Sequence, residues 1–183
     1  RTLGTDLFLP HDVEYANGLR VRAGRLEEVD PVWDLVMLHH SFEHVPDPVA
    51  TMRTVARLLA PEGTCLIRMP TVSSDAWARY GVNWVELDAP RHLHLHSLES
   101  IKLVASRTGF ELRDVRFDSS ELEIWGSEQY VRDIPHRAPN SHAIDPRRSV
   151  FTRRQIAEFR RRVRRLNREG RGSRAAFYLV KRS

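Results

Sequence analysis

The stretch WDLVMLHHSFEHVPDP, residues 33–48, decides the fold of this chain. It begins with a nearly continuous apolar run from Trp33 to Leu38, broken only by Asp34, which is typical of a parallel-sheet strand covered on both faces. It ends in Pro46-Asp47-Pro48, a signal for the start of a helix. We therefore predict a central parallel strand that leads into a helix.

The sequence that follows continues this alternation. Apolar residues recur at the three-and-four spacing of one buried helical stripe, at Val49, Met52, Val55, Ala56 and Leu59. Pro61 and Gly63 are predicted to end the helix, and Thr64 to Met69 reads as the next buried strand. A strand, a helix and a strand in this order form a right-handed parallel crossover. The pattern predicts an α/β, Rossmann-like, doubly wound and mostly parallel sheet.

The flanking segments extend this fold into one domain over residues 1–183. We predict strands at Leu3–Leu9, Leu19–Arg22, Phe110–Phe117 and, antiparallel, Ala175–Val180, with helices at Leu98–Thr108 and Ser120–Tyr130. Residues 152–169 are predicted to form a basic amphipathic helix. Residues 70–98 have no clean period, so they are predicted to be an inserted long loop or short helices that form a lid over the site, and residues 135–150 a loop.

Composition narrows the possible settings. No apolar run in the 183 residues is long enough to cross a bilayer. The single cysteine, Cys65, cannot form an internal disulfide, so we expect a reducing, cytoplasmic environment. The net charge of +5 comes mainly from arginine, with a late cluster at Arg160, Arg161, Arg162, Arg164 and Arg165. No nucleic-acid-binding signature accompanies this charge, and we expect no nucleic-acid partner.

Four motifs follow one another along the chain: LGTD at 3–6, the stretch at 33–48, LLAPEG at 58–63 and WVELDAPRH at 84–92. In this order they resemble the class I S-adenosylmethionine-dependent methyltransferases. That family has a strand ending in an acidic residue, then "DLV" with "H-x-x-E-H-V-x-D-P", then "LL-x-P-x-G". Its more particular relatives carry "W-x-x-L-D-x-P-R-H". The resemblance implies a methyltransferase that uses S-adenosylmethionine as its cofactor.

One family feature is missing. The family begins with a strand and an acidic-x-G-x-G loop, where glycines let backbone N–H groups approach the methionine end of the cofactor. Nothing before Leu3 supplies this loop. The missing strand would lie between those predicted at Leu3–Leu9 and Trp33–Leu38. We therefore expect the sequence to be incomplete, with a strand–helix unit of about 30 residues or more upstream.

The resemblance also implies cofactor contacts. Asp6 occupies the position of the acidic residue that hydrogen-bonds the ribose, although a turn aspartate before Pro10 is the ordinary alternative. Further cofactor contacts are implied for Gly24, Arg25 and Leu26 on the adenine side, and for His39 at the end of the central strand.

The cluster after the central strand allows three interpretations. His40 titrates near neutrality and is our candidate for the catalytic base that takes a proton from an acceptor hydroxyl. His40, Glu43 and His44 could instead share a divalent metal, as in some related O-methyltransferases. In the third interpretation, Glu43 and His44 only orient the loop through backbone hydrogen bonds. We assign both to the acceptor pocket and predict no metal.

The other candidates for the acceptor pocket lie downstream. Arg91 and His92 are expected to line it, because a guanidinium can bind a phosphate or carboxylate. Trp84 and Trp125 are further candidates for substrate contacts. His92, His94 and His96 alternate and suggest zinc, but no cysteine is nearby and the family pattern accounts only for Arg91-His92.

These observations predict O-methylation of a small molecule, or of a hydroxyl on a sugar or polysaccharide precursor. Two other readings remain open. One is a catalytically inactive methyltransferase-like binding module, and the other is a nucleic-acid methyltransferase that uses the basic helix. The sequence leaves the oligomeric state open.

Overall fold

A computed structural model of the chain describes residues 2–30 and 32–182. It is a mixed α/β structure with seven strands among these residues. The strands are β1 (Leu3–Asp6), β2 (Val13–Glu14), β3 (Arg20–Ala23), β4 (Trp33–His39), β5 (Leu59–Pro70), β6 (Phe110–Phe117) and β7 (Arg174–Lys181). Short 3-10 turns occur at Leu26–Glu28, Phe42–His44 and Gly81–Asn83.

The strands form two sheets. In the smaller sheet, ordered β1-β3-β2, β3 is parallel to β1 and antiparallel to β2. In the larger sheet, ordered β4-β5-β7-β6, β4 and β5 are parallel, and β7 runs against both β5 and β6. The three strands β4, β5 and β6 therefore share one direction. This arrangement confirms the mostly parallel sheet with an antiparallel C-terminal strand.

Five α-helices accompany the sheets in the described part of the chain. They are α1 (Pro48–Leu58), α2 (Asp75–Tyr80), α3 (Leu98–Arg107), α4 (Leu122–Tyr130) and α5 (Arg153–Arg168). Asp47 begins α1 by accepting the Ala50 N–H, with Pro48 in the first turn. None of the helices in residues 2–30 and 32–182 has the length and apolar character to cross a membrane.

The main core lies between α1, α3 and the larger sheet. Its fully buried side chains include Met52 and Val55 from α1, Ile101 from α3, and Ile67 and Phe177 from the sheet. Each such side chain contributes about 1.5–3 kcal/mol through burial. The smaller sheet joins this core through the partly buried Leu3. The core thus fixes the carboxyl ends of the strands, where the site residues lie.

The prediction that β4 is covered on both faces is wrong. Val36 is buried, but its neighbours Leu35 and Met37 are 48% and 58% exposed. Side chains alternate between the two faces of a strand, so the core covers only the face that carries Val36. Within the described ranges, β4 is also an edge strand of its sheet and not a central one.

Several predicted boundaries also differ from the structure. Pro61 and Gly63 do not end α1, because β5 already begins at Leu59. They lie where the pairing with β4 jumps from Leu59 to Thr64, an irregularity that tolerates a proline without an N–H. At the other end, β1 stops at Asp6, well before the predicted limit. The two-residue strand β2 was not predicted.

Candidate functional site

The segment after β4 is shaped by a left-handed residue and a short helical turn. His40 has a φ of 46°, which turns the chain out of the strand, and the 3-10 turn Phe42–His44 follows directly. Phe42 is fully buried and anchors this turn in the core. The segment therefore lies at the carboxyl edge of the parallel strands, where open α/β sheets bind ligands.

His40 is held through both ring nitrogens. Its Nε2 lies 2.7 Å from Nη1 of Arg68, and its Nδ1 lies 3.4 Å from Oε1 of Glu43. A guanidinium can only donate, so Nε2 accepts and Nδ1 carries the proton. Partial burial, followed by the positive charge of Arg68, lowers the pKa of His40 below its ordinary value. The ring is therefore neutral near neutral pH.

Glu43 is a buried carboxylate whose contacts with the rings of His40 and His92, at 3.4 and 3.9 Å from Oε1, do not have hydrogen-bond geometry. It is 2% exposed, and neither side-chain oxygen accepts a hydrogen bond within the part of the chain that the structure describes. Burial raises its pKa. Its backbone carbonyl, in contrast, accepts the N–H groups of Leu93 and His94 at 2.9 and 3.1 Å. These two bonds attach the loop around residues 84–96 to the segment after β4.

Two histidine rings lie beside this carboxylate. Nδ1 of His44 lies 2.8 Å from the Arg91 carbonyl, and Nδ1 of His92 lies 2.9 Å from the Glu86 carbonyl. A carbonyl only accepts, so Nδ1 carries the proton in both rings and each Nε2 keeps a lone pair. The ring centroids are 4.9 Å apart. Nε2 of His92 faces the carboxylate, 3.9 Å from Oε1 of Glu43.

The three side chains converge on one point. One potential ligand atom from each of Glu43, His44 and His92 lies within 4.8 Å of the other two. Nε2 of His92 is 3.9 Å from the Glu43 carboxylate and 3.8 Å from Oδ2 of Asp88. Three residues that the sequence assigned separately to the acceptor pocket therefore meet in one cluster.

The alternating histidines do not form a shared site. Nε2 of His94 lies 3.4 Å from the Pro46 carbonyl, whereas the buried His96 stacks on Phe42 with ring centroids 5.2 Å apart. Of these three histidines, only His92 belongs to a group of three potential metal ligands among residues 2–30 and 32–182. The alternation in sequence therefore does not bring the three imidazoles to one point.

Both tryptophans assigned to the acceptor pocket lie in apolar clusters. Trp84 packs with Ala76 and Tyr80 and is almost fully buried. Trp125 packs with Phe151 and stacks on the ring of His136 at 5.7 Å. Both indoles are therefore packed among other side chains and expose little surface to a ligand.

The guanidinium of Arg91 is exposed and already paired. Its Nη2 lies 2.6 Å from Oδ2 of Asp88, three residues earlier in the chain. This pair sits beside His92, at the outer rim of the Glu43 cluster. Arg91 can therefore bind an anionic group of a substrate only if its guanidinium leaves Asp88 or pairs with both anions at once.

On the cofactor side, Asp6 ends β1 with an exposed side chain. Its Oδ1 accepts the N–H of Phe8 at 2.8 Å, and Oδ2 has no protein hydrogen bond among the described residues. The backbone carbonyl of Asp6 accepts the Gly24 N–H at 3.2 Å, which places the ends of β1 and β3 side by side. One carboxylate oxygen is therefore available for a hydroxyl group.

The turn after β3 has its own local structure. A Cβ on Gly24 would lie 2.6 Å from Oε2 of Glu28, so the glycine lets this carboxylate approach the turn closely. The same oxygen accepts the Arg25 N–H at 3.2 Å, and Leu26 is partly buried against the core. No acidic-x-G-x-G turn for the methionine end occurs in residues 2–30 or 32–182.

Sequence reasoning missed Arg68. It projects from β5 to His40 and also binds Oδ2 of Asp118 at 2.5 Å. A charged residue inside the buried run from Thr64 to Met69 was the signal that could have identified it, because buried charges need partners. The Arg68 side chain links the segment after β4 to the end of β6.

The model of a methyltransferase-domain family matches residues 4–115, more than half of the chain. The chain therefore belongs to the class I S-adenosylmethionine-dependent methyltransferases. No curated protein matches its sequence.

Solved structures agree on the fold. A methyltransferase from Thermotoga maritima is 13% identical with a TM-score of 0.59, covering 99% of this chain and 73% of its own. Mitomycin 7-O-methyltransferase MmcR is 10% identical with a TM-score of 0.54, over 91% of this chain and 35% of its own.

A third structure is that of a protein from Galdieria sulphuraria named as a sarcosine dimethylglycine methyltransferase. It is 18% identical with a TM-score of 0.50, over 90% of this chain. The present chain spans 60% of the length of that protein. At these identities, the three likenesses show the fold alone.

Proposed function

We propose that the protein transfers the methyl group of S-adenosylmethionine to a hydroxyl of a small molecule, such as a sugar or polysaccharide precursor. The observation that supports the proposal is the match to the methyltransferase family, together with the position of the candidate residues at the ends of their strands. In a chain of this family, Asp6 and the turn after β3 lie at the carboxyl ends of their strands, as does the His40–His44 segment of β4. When bound, the cofactor supplies an electrophilic methyl group.

We assign the following roles to the residues of the cofactor side and of the acceptor side. Asp6 contacts the ribose with its free oxygen, and the backbone of Gly24 and Arg25, the side chain of Leu26 and His39 complete the cofactor side. Glu43, His44, Arg91 and His92 surround the acceptor, with Trp84 and Trp125 as the packed walls behind it. The loop around 84–96 acts as a lid that excludes water, which an in-line methyl transfer requires.

His40 is the proposed base in this reaction. Its neutral ring matches the task, because a base must be unprotonated at the working pH. The Nε2 lone pair is directed at Arg68, so proton transfer requires an acceptor hydroxyl to take the place of this guanidinium. Arg68 would then remain close enough to stabilise the developing negative charge on the acceptor oxygen.

The setting is proposed to be the cytoplasm, supported by the single thiol, Cys65, which is buried. A nucleic-acid acceptor is less well supported. Within the basic helix α5, Arg160, Arg161, Arg162 and Arg165 each lie 2.6 to 3.9 Å from a carboxylate of this chain. Internal pairing neutralises much of the charge that phosphates would need.

The test is calorimetric titration of S-adenosylmethionine into the natural full-length protein. We expect saturable binding that Asp6→Ala weakens about tenfold, equivalent to about 1.4 kcal/mol. Asp34→Ala is the matched control, because Asp34 is exposed at the opposite end of β4. Absence of binding to the intact protein would rule out the enzyme and leave the inactive binding module. Equal affinity for wild type and Asp6→Ala would remove the ribose role.

A further inference from the structure

We propose that Glu43, His44 and His92 form a binding site for a divalent transition-metal ion such as zinc. This set differs from the two that the sequence suggests, His40 with Glu43 and His44 or the alternating histidines, and no metal was predicted here. The inference stands on the geometry of these three side chains and does not require the proposed methyl transfer.

The first support is the orientation of the two imidazoles. Each ring donates Nδ1–H to a backbone carbonyl, His44 to Arg91 and His92 to Glu86. Metal-binding histidines usually have such a partner, because it fixes the tautomer and the direction of the ligating nitrogen. These bonds leave Nε2 of each ring as the nitrogen that can bind a cation.

The second, independent support is the carboxylate of Glu43. It is 2% exposed, yet neither oxygen has a hydrogen bond in the described part of the chain. The rings of His40 and His92 lie 3.4 and 3.9 Å from Oε1 without forming hydrogen bonds. Burial of a carboxylate without hydrogen bonds is costly and rare in folded proteins. A divalent ion would satisfy both oxygens and remove this cost.

The distances and the donor types agree with a transition metal. The ligand atoms lie within 4.8 Å of one another, with 3.9 Å between His92 Nε2 and Glu43 Oε1. A tetrahedral zinc site with bonds of about 2.1 Å has ligand atoms roughly 3.4 Å apart, so only small side-chain movements are needed. Two imidazoles and one carboxylate favour zinc, iron or nickel over magnesium or calcium.

The site is open on one side, because His44 is exposed. Catalytic zinc sites have three protein ligands and one open position, whereas structural sites are closed by four. Asp88 offers a carboxylate oxygen 3.8 Å from His92 Nε2, but it is already paired with Arg91. We therefore assign three protein ligands and an open coordination position toward the acceptor side.

The experiment is titration of the chelator-treated protein with cobalt(II), followed by its visible absorption bands, and then displacement by zinc. We expect one cobalt ion per chain and complete displacement by zinc, which this type of donor set binds more tightly. No bound cobalt at about 1 mM metal, or a stoichiometry well above one, would overturn the proposal. This readout needs neither cofactor nor acceptor, so its failure would leave methyl transfer untouched.

The matched variants are His44→Gln and His92→Gln, with His94→Gln as the control. Loss of either ligand should weaken cobalt binding at least about 100-fold, since even a partner outside the first shell contributes 10- to 100-fold. His44 is exposed, so its variant keeps the fold, which circular dichroism verifies. Unchanged affinity in His44→Gln, or an equal loss in His94→Gln, would contradict the assignment.

Discussion

The two sides of the candidate site are built very differently. The cofactor side lies on the short strands β1 and β3, and the side chain of Asp6 is exposed and bonded only to the N–H of Phe8. The acceptor side rests on the buried Phe42, and a loop nearly fifty residues away binds the Glu43 carbonyl through two N–H groups. A local bond holds the carboxylate of Asp6, whereas tertiary bonds hold the segment around Glu43.

This difference shows which part of the candidate site is held in place by contacts within the described chain. Tertiary contacts restrict the acceptor side before anything binds, and they hold a buried carboxylate in an unfavourable environment. At the proposed cofactor side, the Asp6 carboxylate has only a local bond in the described chain, and we expect a ligand to order it further. The predictions below test this contrast, from the largest expected effect to the smallest.

The largest effect is expected in the core that supports the acceptor side. Phe177→Ala removes a fully buried ring from β7 and should lower the free energy of unfolding by about 3–5 kcal/mol. Phe8→Ala makes the same change next to Asp6, where the ring is 94% exposed, and should alter it by less than about 0.5 kcal/mol. Urea denaturation followed by circular dichroism measures both values. Similar losses in the two variants would contradict the contrast.

A smaller effect, of opposite sign, is expected at Glu43. Glu43→Met replaces the unpaired carboxylate with an apolar side chain of similar length. In metal-free protein this change should raise the free energy of unfolding by about 1–3 kcal/mol, the cost of a buried unsatisfied group. The measurement is urea denaturation in the presence of a chelator. A destabilised Glu43→Met variant would mean that the carboxylate has a partner in the folded protein.

The smallest effect concerns pH. Burial, with a contribution from His94, lowers the pKa of His96 to about 4 from its ordinary value of 6.5. The unfolded chain therefore takes up the proton first, so stability is complete above about pH 6.5 and falls as the pH drops toward 4. His96→Phe, which keeps the stacking on Phe42, should reduce this loss between pH 7 and pH 5.

The test of His96 depends on the groups around its ring and on a control variant. The groups facing His96 are the His94 ring at 5.6 Å and the Ser100 hydroxyl at 3.3 Å, besides Phe42. His11→Phe changes an exposed histidine and should leave the pH dependence as it is in the wild type. If His96→Phe retained the full wild-type loss of stability, His96 would not be its source.

Much of the fold could be predicted from local signals. The start of α1 follows from Asp47 and Pro48, which supply a cap and a preset φ, and its buried face follows from the spacing of Met52 and Val55. The burial of β4 could not be predicted in the same way. Leu35 and Met37 are apolar, but their exposure depends on what packs on that face, which composition does not encode.

The candidate site was predictable in its parts but not in its assembly. Glu43, His44 and His92 were each recognised from motifs, yet their convergence depends on two backbone bonds from Leu93 and His94 to the Glu43 carbonyl. Such bonds carry no side-chain signature and therefore leave no trace in the sequence. The roles of these residues stay predictions until ligand binding is measured.

Hydrogen–deuterium exchange of the natural full-length protein, with and without S-adenosylmethionine, tests the central claim most directly. The account predicts new protection in the segments after β1 and β3, residues 6–8 and 23–26, and at 39–40. Exchange across residues 84–96 should change little, because that loop is already bonded to Glu43. Protection confined to 84–96, or no change anywhere at saturating S-adenosylmethionine, would contradict the account.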